Sequence, residues 1–112
     1  MVKISILYPG GTRFDMGYYL GSHMPVSIRL LSAGKGYRGV SVERGLNGVE
    51  AGSAPPFVAM CHYLFDSVDD FMAAFMPHAE ELQGDIRNYT DSVPIIQFSE
   101  VALYHRDPSG AS

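Results

Sequence analysis

"FVAMCHYLF", Phe57 to Phe65, is apolar at almost every position and rich in aromatic side chains. Such a run is far shorter than the ~20 residues of a membrane span and suits a strand covered on both faces. Phe57, Ala59, Cys61, Tyr63 and Phe65 point one way, and Val58, Met60, His62 and Leu64 point the other. Each face therefore needs its own cover. Directly after the strand, "DSVDDF" has the marks of a helix start. Ser67 is placed to cap it, Asp69 and Asp70 suit the positive end of the helix dipole, and Phe71, Met72, Phe75 and Met76 recur at helical spacing. Pro77 interrupts, and "HAEELQGDIRNY" continues as a shorter, more polar helical piece.

Working outward, "VKISILY" (Val2 to Tyr8) alternates like a strand and is stopped by Pro9, Gly10 and Gly11. Helical spacing runs from about Phe14 to Ser32, and a second alternating strand covers Tyr37 to Arg44. Leu46 to Pro56 forms the longest loop, and Val93 to His105 reads as the last strand. The order β-α-β-β-α-β is the ferredoxin-like arrangement: an α+β fold with a four-stranded antiparallel sheet and its helices on one face. We therefore expect one domain over 1–106 and a polar tail over 107–112. The least costly cover for the second sheet face is another copy of the chain, which gives a homodimer packed sheet to sheet.

With 112 residues and a formal charge of −4, the chain is a single mildly acidic domain. Its basic residues are scattered from Lys3 to Arg106 without a patch of interleaved aromatics, so nucleic acid is not an expected partner. Neither a membrane span nor a secretory leader pattern is present, and the expected location is cytoplasmic. Cys61, the single cysteine, reads as a small core hydrophobe.

The first helix carries the candidate chemistry. "YYLGSHMPV" (Tyr18 to Val26) places two glycines and a proline inside a helical pattern. Tyr19, Leu20, His23, Ser27, Leu30 and Leu31 fall on the stripe that faces the sheet. Because Pro25 lacks an N–H, we expect the helix to break, with Ser22 as N-cap of a second segment. His23 then sits at a helix N-terminus, neutral, with Gly17 and Gly21 leaving space beside it. A histidine on an apolar face can equally be a core residue bonded to a carbonyl. His62 belongs to the dimer-side face, His78 to a solvated helix start and His105 to the tail. No H-x-x-x-H or cysteine pair suggests a metal, and "PGGTR" lacks the G-x-G-x-x-G of a nucleotide-binding turn, so no cofactor is expected. A lone His78 is a poor haem ligand.

These residues carry a resemblance. "FDMGYYLGSHMPV" is similar to the signature of the EthD family, in which an aromatic pair precedes His-Met-Pro. The likeness continues in order through "SVERGL", "PPF", "YLFDSVDDF", "DIRNYTD" and "QFSEV". It departs at Arg87, where the family often has proline. The resemblance implies a dimeric α+β barrel whose ligand lies between the sheet and its own helices. It also implies an oxidoreductase-class enzyme for a small hydrophobic or aromatic metabolite, with no nucleotide cofactor and with electrons from a partner protein if needed. His23 and Tyr19 would be catalytic, and Tyr18, Met24 and Leu20 would contact substrate. A dehydratase or cyclase using the same proton transfer, and a non-catalytic ligand-binding dimer, are the alternatives.

Overall fold

The computed structural model describes residues 1–11 and 13–108. Strands β1 (Val2–Pro9), β2 (Tyr37–Arg44), β3 (Phe57–Phe65) and β4 (Ile95–Glu100) form one antiparallel sheet in the order β2-β3-β1-β4. Helix α1 runs over 16–32, while α2 (Val68–Phe75) and α3 (Ala79–Gly84) are joined through a 3-10 turn at Met76–His78 that contains Pro77. This is the ferredoxin-like fold, the subunit type of dimeric α+β barrels. It follows from the sequence pattern directly. β3 lies inside the sheet, with Tyr63 opposite Ile4 and Cys61 opposite Ile6. Ala59, Cys61, Tyr63 and Phe65 are all buried beneath the helices. Val58, Met60, His62 and Leu64 are half-buried on the opposite, open face.

Ser67 caps α2 as expected, its hydroxyl accepting the Asp70 N–H at 3.1 Å. At the turn into β2, Gly36 has φ +79°, and a Cβ there would run into the Asp70 carboxylate, so a side chain is excluded on both counts. β4 is shorter than the sequence suggested, ending at Glu100 rather than His105. Glu100 pairs with Val2, and Val101 N–H reaches the Met1 carbonyl at 3.0 Å. Residues 101–108 carry no regular structure, and Ser109 to Ser112 of the expected tail lie outside the described residues.

The expected break in α1 is absent. Asp15 caps the helix through the Tyr18 N–H, and the chain stays helical through Tyr19–His23, which form a π turn, into the α-helical Met24–Ser32. The Met24 N–H bonds the Tyr19 carbonyl five residues back, and Ser22 makes no cap bond. A π turn already gives up one α-type bond, and Pro25, in the first turn of the following segment, has none to give. Without a helix terminus beside His23, the dipole argument for its charge lapses. Gly17 and Gly21 also lie on the exposed side, where they open no space next to the histidine.

Candidate functional site

The π turn determines which side chains face inward. Tyr19, His23, Ser27 and Leu31, spaced by four, are all buried, whereas Leu20 is turned out and 47% exposed. π turns are frequent at functional sites, because the inserted residue re-aims its neighbours without ending the helix. His23 is 8% exposed and stacks on Tyr19, with ring centroids 5.4 Å apart and planes 13° from parallel. Tyr89 packs against both rings, its centroid 4.8 Å from His23 and 4.9 Å from Tyr19.

Asp85, just after α3, supplies the partner. Its Oδ2 lies 2.8 Å from His23 Nδ1, and its Oδ1 accepts the Tyr18 hydroxyl at 2.6 Å and the Asn88 amide at 2.8 Å. Burial alone would raise this carboxyl, but the hydrogen bonds from Tyr18, Asn88 and His23 outweigh it and hold Asp85 below its ordinary value. An ionised carboxylate only accepts, so Nδ1 carries the proton and Nε2 is the ring position left for exchange. The same bond pushes the Tyr18 phenol upward.

Beside His23 a cleft of about 280 Å³ opens between the sheet and its helices. Ile6, Tyr8, Tyr63 and Ile96 form its floor; His23, Ser27 and Leu31 of α1, Phe71 and Phe75 of α2, and Leu82 and Gln83 of α3 form its walls. Ile86, Tyr89, Val93 and Pro94 close the remaining side. Two hydroxyl pairs border it: Tyr8 with Tyr89 at 2.8 Å and Ser27 with Tyr63 at 2.6 Å.

Of the residues singled out in the sequence, the structure brings His23 to the cleft wall. Tyr19 lies behind it, 1% exposed in an aromatic cluster with Tyr8, Phe14 and Tyr89, and it touches His23 rather than the cleft. Tyr18 reaches the site through Asp85, Met24 is 3% exposed in the core, and Leu20 faces outward. None of these four lines the cleft. Asp85, Tyr8, Tyr63 and Tyr89 join the site without a spacing in the sequence that points to them. Asp85 lies 62 residues from His23, and the only signal for it was its place in "DIRNYTD". Arg87 sits in a 3-10 turn over Ile86–Asn88, where its carbonyl accepts from Arg13. Burial pushes the Cys61 thiol up to about 12, which suits a core residue. Among the described residues no cluster of three or more His, Cys, Asp or Glu is placed to hold a metal, and no helix is long and apolar enough to cross a membrane.

An aromatic cleft between a ferredoxin-like sheet and its helices, with His23 in its wall and Asp85 behind it, is the candidate functional site. The EthD domain model matches residues 13–92, and the chain belongs to the EthD family. It is similar to a crystal structure of an EthD-like protein from Ralstonia eutropha JMP134, with 42% identity, 93% of this chain and 94% of that chain covered, and a TM-score of 0.84. It is also similar to an ethyl tert-butyl ether degradation (EthD) family protein from Bacillus halodurans C-125, at 20% identity, 89% and 97% coverage and a TM-score of 0.68. A candidate monooxygenase from Shewanella loihica PV-4 shares the fold at 10% identity, 93% and 99% coverage and a TM-score of 0.55. The search of curated proteins found no match.

Proposed function

We propose that the protein is a small-molecule enzyme of the oxidoreductase class, with His23 as its general base. The observation that carries this reading is the 2.8 Å bond from His23 Nδ1 to Asp85 in the wall of the cleft. With Nδ1 held, Nε2 takes a proton from a phenol, an enol or a carbon next to a carbonyl, and Asp85 balances the imidazolium that forms. The resulting oxyanion is electron-rich, and dioxygen or an electron-transfer protein is the oxidant. An apolar cavity of about 150 Å³ holds one benzene. A cleft of about 280 Å³ therefore suits a hydrophobic molecule of roughly two rings.

Oxygen uptake and product analysis on a panel of phenols, quinols and ring carbonyls test this reading. We expect turnover by the wild type and a loss of about 10²–10⁴-fold in His23→Ala. Because a histidine–aspartate pair moves protons whatever follows, dehydration or ring closure is the second reading; product formed without oxygen uptake would favour it. Binding without product in every assay would leave a ligand-binding protein.

We also place a second copy of the chain on the open sheet face. Leu7, Val58, Met60, Leu64 and Ile95 give that face an apolar surface on the side of the sheet away from the described helices. Sedimentation checks it: a dimer for the wild type and a monomer for Met60→Asp, which puts a charge into the contact. A wild-type monomer would contradict it.

A further inference from the structure

The cleft has a polar composition that narrows what can enter it. Its lining contains no Lys, Arg, Asp or Glu. Asp85 stands behind His23 with its oxygens already taken by Tyr18, Asn88 and His23. A charged ligand would lose its hydration there without a counter-charge, which is costly. Apart from Gln83 of α3, the polar side chains of the lining are grouped at two stations.

The first station is His23 with the Tyr8–Tyr89 pair; the second is the Ser27–Tyr63 pair. A hydroxyl has one proton and two lone pairs. The bond within a pair uses one of its two protons, and the other can be donated to a ligand oxygen. Burial raises the phenols of Tyr8, Tyr63 and Tyr89, so each remains an O–H at neutral pH. The stations lie at different points along the cleft. On the helix, Ser27 follows His23 by one turn, about 6 Å of rise. On the sheet, Tyr63 stands opposite Ile4, four residues from Tyr8 and about 13 Å along β1. Apolar Ile6 forms the floor between them.

We infer that the cleft recognises an uncharged ring compound of about two rings with an oxygen function at each end, one held at His23 and Tyr8–Tyr89 and the other at Ser27–Tyr63. This rests on the reading of the cleft as the substrate site. Calorimetric titration with three probes tests it: 2,6-dihydroxynaphthalene, 2-naphthol and the anion 6-hydroxy-2-naphthoate. In the wild type the diol binds about tenfold more tightly than 2-naphthol, as one added buried hydrogen bond allows. The anion binds more weakly than either. Ser27→Ala combined with Tyr63→Phe, which removes both hydroxyls, abolishes the diol's advantage over 2-naphthol, and either change alone, less exposed to folding defects, reduces it. Equal binding of diol and 2-naphthol by the wild type, or tightest binding of the anion, overturns two-ended recognition while the cleft reading stands. Failure of all three probes to bind the folded wild type overturns both.

Discussion

His23 and His62 each pair with a carboxylate, yet they are set up for different work. His23 gives one ring nitrogen to Asp85 at 2.8 Å and keeps the other, beside a cleft walled by aromatic rings. His62 lies in the middle of the open sheet face, Nδ1 against the Ser5 hydroxyl at 2.9 Å and Nε2 3.3 Å from Glu43, whose Oε1 is buried without a hydrogen-bond partner among the described residues. A histidine that moves protons needs one nitrogen oriented and one available, next to a space for the reacting molecule. Of the two, His23 is the one that lines the cleft. His62 meets the conditions of an interface residue, in a row with Ser41, Ser5 and Gln97 across the sheet.

The comparison breaks most readily at the level of turnover. His23→Ala is expected to lose about 10²–10⁴ in kcat, whereas His62→Ala retains the wild-type rate and changes only self-association. Equal losses in the two variants, measured with the same substrate, would erase the distinction. Asp85→Asn comes next. Its amide cannot balance an imidazolium, so kcat falls about tenfold or more while KM changes little.

Asp85 also makes an acid-side prediction. Its carboxyl is lower in the folded protein than in the unfolded chain, so its contribution to stability is present above the unfolded value of about 3.9. That contribution is lost as pH falls through the folded value. Thermal melts from pH 7 downward should show a steeper loss below about pH 4 in the wild type than in Asp85→Asn; parallel curves would mean the carboxylate is not stabilised by folding. The smallest expected effect concerns Cys61. Fully buried, with its thiol pushed up to about 12, it should ignore thiol reagents in the native protein and react only on unfolding.

The fold was readable where local chemistry and parity agree. β3 announced both its faces through alternating side chains, and Ser67 announced α2 through its cap. The end of β4 was not readable, because it depends on pairing across the sheet with β1 and not on the apolar pattern of "VALYH". At the site, His23, Ser27 and Leu31 followed from helical spacing. The π turn did not follow: "LGSHMP" contains the proline and glycine of a break, and the choice between breaking and widening is made by packing against Tyr89 and the core. Leu20, placed by the same spacing at the edge of that stripe, is instead turned out to 47% exposure. Asp85 and the tyrosine pairs reach His23 and Ser27 only through tertiary contacts, which no periodicity encodes.

The most direct measurement is thermal unfolding of wild type, His23→Ala and His62→Ala against neutral phenols, quinols and ring carbonyls. A ligand at a hundred times its Kd adds about 2.7 kcal/mol, which for a domain of this size raises Tm by roughly ten degrees. Stabilisation of wild type and His62→Ala, with none in His23→Ala, is the expected result. Ligand shifts that survive in His23→Ala and vanish in His62→Ala would move the site to the open sheet face and contradict the assignment of His23.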